Sequence, residues 1–162
     1  GISCGCCDVE GRDYLLSLIE NDIKNITYSN LFVNGNYEAF LTFLKSLNTD
    51  VYIIANESAG FYNFPLEIAG FVPIPNDCVN YWEQSRKEIK VVLEQSLAEV
   101  KDKLFLVSAG PMSEAVIDYL WSINPYNKYV DVGSAIAEFI HGHPIRDFAY
   151  KQSPYHNKNC VF

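Results

Sequence analysis

Along this chain the hydrophobic period switches repeatedly between that of a strand and that of a helix, and this alternation limits the possible folds more than any other feature. Apolar runs stand at 2–7, 26–33, 51–55, 68–72, 104–107 and 129–132, the second of them β-branched and aromatic. Each is short, apolar and bounded by turn-forming residues, as strands are. Between them apolar residues recur every three or four positions, first Tyr14, Leu15, Leu18, Ile19 and Ile23, then Ala39, Phe40, Phe43, Leu44 and Leu47. The longest such stretch lines up Val79, Trp82, Ile89, Leu93, Leu97 and Val100 on one face, with Glu83, Lys87, Glu94 and Lys101 opposite. That pattern predicts one long amphipathic helix. A further helix is expected over 112–121, stopped by Asn124-Pro125, because the residue before a proline avoids the helical region. Gly133-Ser134 opens a last helix, and the tail from His141 is polar and irregular.

Strands that are apolar along their whole length and alternate with helices are buried on both faces. The expectation is therefore an α/β, Rossmann-like fold, a mostly parallel sheet with helices on both faces. With 162 residues the chain suits a single domain, 1–162. Met112 is its only methionine, so it reads as a domain cut from a longer protein. Ligands of such sheets collect beyond the carboxyl ends of the strands. That rule directs attention to the loops at Asp8, Asn56, Ser108 and Asp131.

Charge and cysteine usage restrict the partners. A formal net charge of −8 speaks against nucleic acid, whose binding depends on a basic face. An acidic protein can still hold an anionic nucleotide when a divalent cation lies between them. No run approaches the roughly 18 apolar residues that a membrane span needs. Five cysteines, Cys4, Cys6, Cys7, Cys78 and Cys160, make an odd number and no disulfide framework, which points to a reducing, cytoplasmic compartment. Their spacing, taken with His141 and His143, is not the two-plus-two pattern of structural zinc.

Four loops carry residues suited to chemistry. The strand ending at Ser108-Ala109-Gly110-Pro111 runs directly into a helix. There Gly110 permits close backbone approach, and a helix start attracts phosphate through its amides and dipole. Asp131 ends the next strand, where an acid commonly takes ribose hydroxyls; the plain alternative is an ordinary turn with Asp131 as its cap. Asp8-Val9-Glu10 puts two carboxylates just past the first strand, a donor set that suits Mg²⁺ or Mn²⁺ shared with substrate phosphates, or else simply caps the following helix. Glu57, after the strand at 51–55, is a candidate general base or a grip on a sugar hydroxyl, or only a surface carboxylate.

The segment from Ser108 to Trp121, then Asn124-Pro125, then Tyr129 to Ser134, resembles small glycosyltransferases of the GT-D type from bacterial and viral surface-glycan systems. Tyr28 to Tyr37, Pro144-Ile145-Arg146-Asp147 and Asn157 to Cys160 are similar to that group as well. The resemblance implies a metal-dependent transferase whose D-x-E motif, here Asp8 and Glu10, holds Mn²⁺ or Mg²⁺ against the diphosphate of a nucleotide-sugar donor, a UDP-sugar first among them. It implies that Ser108, Ala109, Gly110, Asp131 and Ser134 contact the nucleotide and that the sugar passes to a glycan acceptor. Where the family has Gly-Asp-Gly-Glu, this chain has Cys7-Asp8-Val9-Glu10, so Val9 narrows the backbone freedom beside the metal. The competing readings are a dinucleotide-binding oxidoreductase domain, which leaves Asp8 and Glu10 without a task, and a non-catalytic nucleotide-binding module.

Overall fold

The protein is described here by a computed structural model, which covers Ser17, residues 36–146 and residues 149–152. The expected strands at 2–7 and 26–33 lie outside the described residues, as do Asp8, Glu10 and Asp147. The chain divides into two compact units, one of Gly1–Leu41 with Asp147–Phe162 and one of Thr42–Arg146. In the first unit Ser17 is helical, and the helix α1 (Asn36–Ser46) begins there with Tyr37 buried. The same helix carries the chain into the second unit, where Leu44 is buried and Phe43 is 56 % exposed. The helical period over 39–47 thus marks the element, but Phe43 is not on its buried side.

The second unit is built on four parallel strands, β1 (Val51–Asn56), β2 (Ile68–Ile74), β3 (Leu104–Ser108) and β4 (Lys128–Asp131), in the order β2-β1-β3-β4. This is the α/β, parallel-sheet class that the alternating periods imply. β1 and β3 are the inner strands, with Val51, Ile53, Ile54, Ala55, Phe105 and Val107 fully buried. Burial on both faces is why both strands read as unbroken apolar runs. Among the described residues β4 is at the edge and leaves Lys128, Val130 and Asp131 exposed, and its sequence is more polar than those of the inner strands.

Two helices cover one face. They are α2 (Cys78–Leu97) and α3 (Ser113–Ile123), whose Ile89, Leu93, Leu97, Val116 and Leu120 meet Ile54, Ile74, Phe105 and Val107 in one core. Across that face Tyr52 stacks on Phe105 at 4.9 Å and Phe105 meets Tyr129 at 5.0 Å, an aromatic row across three strands in register. The other face is covered by the β1–β2 connection, through Phe61 on Phe71 at 4.8 Å, and by the short α4 (Ala137–His141), whose Phe139 packs on Phe64. α2, which the sequence pattern predicts as one long helix, is interrupted. Ser85 leaves helical geometry (φ −122°, ψ 16°). Before this break Cys78, Tyr81 and Trp82 pack on the core while Val79 is 48 % exposed. After it the Ile89-Leu93-Leu97 stripe takes over.

At the amino end of β3 a small polar network closes the sheet. Asn124 Nδ2 donates to the carbonyls of Leu97, Ala98 and Val100, and Asn127 Nδ2 also donates to Val100. Asn127 Oδ1 accepts from the Lys103 amide, and the Tyr129 hydroxyl donates to the Asn124 backbone carbonyl. Both asparagines are buried, and their partners offset the cost of that burial. Burial also pushes the Tyr129 hydroxyl above its usual pKa. Among the described residues no helix is long and apolar enough to cross a membrane.

Candidate functional site

The strand order singles out one place on the sheet. From β1 the chain moves outward to β2 by a connection lying on one face, while from β3 it moves the opposite way to β4 through α3 on the other face. Loops leaving two neighbouring strands toward opposite faces open a crevice at their carboxyl ends, where α/β sheets bind ligands. Here that crevice lies between β1 and β3, at the paired residues Ala55 and Ser108. A cavity of about 180 Å³ occupies it, lined by Asn56, Asn76, Cys78, Ser108, Ala109 and Gly110 with Ile74 and Pro75.

Each wall has a local cause. Asn56 ends β1 and accepts the Ser58 amide at 2.9 Å, the short side-chain turn that asparagine favours. Its Nδ2 donates to Asn76 Oδ1 at 2.7 Å, which joins the ends of β1 and β2. The Glu57 amide donates to the Ile74 carbonyl at 2.8 Å and so extends this pairing, while the Glu57 side chain stands exposed at the rim. On the other wall Gly110 adopts φ +56°, the left-handed region where any side chain is strained. A Cβ there would meet Cys78 Sγ at 3.6 Å, so backbone conformation rather than crowding is what requires a glycine.

The turn after β3 differs from the sequence-based expectation in one respect. Its amides were expected to be available to phosphate, yet the turn engages most of them itself. The Ala109 amide donates to Ser113 Oγ at 3.0 Å, Pro111 has no N–H, the Met112 amide reaches the Ala109 carbonyl, and the Ser113 amide reaches the Gly110 carbonyl. A short 3-10 turn over Gly110–Met112, rather than an α-helix, leads into α3. Ser113 is fully buried and was not singled out by sequence; its position four residues beyond Ala109 is the only hint.

The remaining candidates lie along the same edge. The Ser108 hydroxyl donates to the Gly133 carbonyl at 2.6 Å, and Asp131 Oδ1 accepts the Gly133 amide at 2.8 Å. Asp131 therefore caps the 3-10 turn Gly133–Ile136, in which Ser134 is half-buried. The ends of β1, β3 and β4 thus bring Asn56, Glu57, Ser108 and Asp131 to one edge of one sheet. Asn76 and Cys78, which sequence reasoning passed over, join them because β2 ends beside β1. Cys78 is a free, half-buried thiol. Among the described residues, the crevice lining carries no cationic side chain. Asp8 and Glu10, the expected metal ligands, lie outside the described residues. No family model, curated protein or solved structure matches this chain.

Proposed function

We propose that this chain is a metal-dependent glycosyltransferase that binds a nucleotide-diphosphate-sugar, a UDP-sugar first among them, in the crevice between β1 and β3 and passes the sugar to a glycan acceptor. The observation that carries the reading is the crevice itself, polar but uncharged, at the switch of strand order. A neutral wall most of whose turn amides are already engaged does little to offset the charge of a diphosphate. That task falls to a divalent cation, in keeping with the D-x-E resemblance. Asp8 and Glu10 would hold it, hard carboxylate oxygens of the kind that suit Mn²⁺ or Mg²⁺. When bound, the ion stabilises the charge that develops on the leaving nucleotide.

The chain's own groups would do the rest. The Asn56 and Asn76 amides and the two lone pairs of the Ser108 hydroxyl offer hydrogen bonds to the nucleotide, with Ala109 and Gly110 as the floor. Asp131 has a second carboxylate oxygen for a ribose hydroxyl, and Ser134 stands in the turn that Asp131 caps. Glu57, exposed just past the end of β1, would take a proton from the acceptor or grip the reacting sugar. The free thiol of Cys78 accords with a reducing, cytoplasmic setting.

Calorimetry of UDP in the presence of Mn²⁺ and in EDTA tests the reading. The expected outcome is at least a tenfold loss of affinity on chelation, about 1.4 kcal/mol. Undiminished affinity in EDTA would take Asp8, Glu10 and the cation out of the site.

A further inference from the structure

The loop that leaves β1 borders a second concavity, which the nucleotide site does not use. It has a volume of about 260 Å³ and lies between that loop and α4, lined by Tyr62, Asn63, Glu138, Gly142 and His143 among others. Its wall is held firmly. The Gly60 amide donates to the Ile140 carbonyl at 3.0 Å and the Tyr62 amide to the Phe139 carbonyl at 2.8 Å. Phe61 and Phe64, on either side of this anchor, turn onto Phe71 and Phe139.

Tyr62 does the opposite of its neighbours. It is 55 % exposed although the loop around it is tied down, and both flanking residues take left-handed backbone, Phe61 at φ +50° and Asn63 at φ +51°. Such conformations cost on the order of 1–3 kcal/mol each in non-glycine residues. The ring lies against two glycines. A Cβ on Gly60 would come within 2.2 Å of it and one on Gly142 within 3.0 Å. The ring thus lies over these two glycines and lines the concavity.

We infer that this concavity is a saccharide subsite, with Tyr62 as its stacking platform, and that it receives the glycan acceptor. The second part rests on the transferase reading; the first does not. One face of a pyranose ring is a patch of C–H groups that stacks on an aromatic ring, and its edge is a ring of hydroxyls that need partners. Glu138 supplies carboxylate acceptors, and the Asn63 amide both donates and accepts. His143 Nδ1 lies 3.0 Å from the His141 carbonyl oxygen. A carbonyl only accepts, so Nδ1 is the donor in that contact, which leaves Nε2 to pair with a sugar hydroxyl. The lining includes no Lys or Arg among the described residues, which favours a neutral sugar over a phosphorylated or acidic one. A pocket with one apolar platform and a few converging polar groups is the usual form of a small-molecule site.

Saturation-transfer NMR of the parent chain with methyl glycosides of glucose, galactose, mannose and N-acetylglucosamine, and with their linear oligosaccharides, tests the inference. Tyr62→Ala, Tyr62→Phe and His143→Ala are measured beside it, and the affinity of each for UDP with Mn²⁺ is followed in parallel. Saccharide binding by the parent that drops at least tenfold in Tyr62→Ala, weakens in His143→Ala and survives in Tyr62→Phe, with UDP affinity unchanged, supports the subsite. No saccharide binding by the parent, or equal binding in Tyr62→Ala, overturns it. Saccharide binding by a parent that binds none of UDP, GDP and dTDP with Mn²⁺ leaves the subsite standing and removes the transferase reading. Because Tyr62 is exposed, its loss leaves the thermal midpoint of the parent intact; a large drop would assign the ring a packing role and overturn the inference.

Discussion

At the scale of single residues, the turn after β3 combines two demands. Gly110 must sit at positive φ, and Ser113 must accept the Ala109 amide in a fully buried position. Ser113→Ala leaves that amide unpaired and is expected to cost about 1–3 kcal/mol in denaturant unfolding. Gly110→Val is expected both to destabilise the fold, since left-handed backbone disfavours a branched residue, and to weaken UDP binding by at least tenfold in calorimetry. Unchanged UDP affinity would move the nucleotide away from this turn. A pH effect is expected on the outer side of α2. The Tyr119 hydroxyl donates to the Glu94 carboxylate, and this bond, with smaller contributions from partial burial and the Glu94 charge, pushes its pKa up from 10.0 to about 12. A raised pKa in the folded state contributes stability that is whole below pH 10 and is lost as the pH climbs toward 12. Ultraviolet titration should show Tyr119 among the late-ionising tyrosines of the parent, and Glu94→Gln should move it back toward 10. No change in that variant would detach Tyr119 from Glu94.

At the scale of elements, the carboxyl ends of β1, β3 and β4 carry the candidate chemistry and the amino ends carry the support. Asn124 stops α3 as its Asn-Pro sequence implies, yet it also joins the end of α2 to the loop before β3 through three carbonyls. Asn124→Ala removes all of these bonds from a buried site and is expected to cost about 2–3 kcal/mol, read as a lower midpoint in urea. A loss under about 0.5 kcal/mol would mean that water replaces the amide. The position was legible as a helix stop because the constraint acts on its own backbone. Its reach to residues 24–27 positions earlier was not, because nothing local records which carbonyls a fold will bring near.

At the scale of the molecule, catalysis as proposed needs the described edge and the two carboxylates that precede it. Asp8→Ala and Glu10→Ala are expected to abolish transfer from a UDP-sugar while leaving the thermal midpoint without metal unchanged. A large fall in that midpoint would make them helix caps instead. Glu57→Gln should keep donor affinity and lose most turnover, the mark of an interaction made only in the transition state, whereas equal kinetics would remove Glu57 from the reaction. Each outcome is read from steady-state rates beside calorimetric affinity on the same protein.

Sequence alone determined the class of fold, the positions of the four described strands and three loops of the candidate edge. It could do so because burial on both faces forces an unbroken apolar composition, and because a strand's end and a glycine turn are local events. The tertiary structure alone decided the order β2-β1-β3-β4 and hence that the crevice opens between β1 and β3. It decided, too, that Asn76 and Cys78 join the lining, and that Tyr62 lies against Gly142 across the concavity. Each of these follows from which distant segments become neighbours, and the free energy that selects them belongs to pairing and packing across the sheet rather than to the period of any one segment.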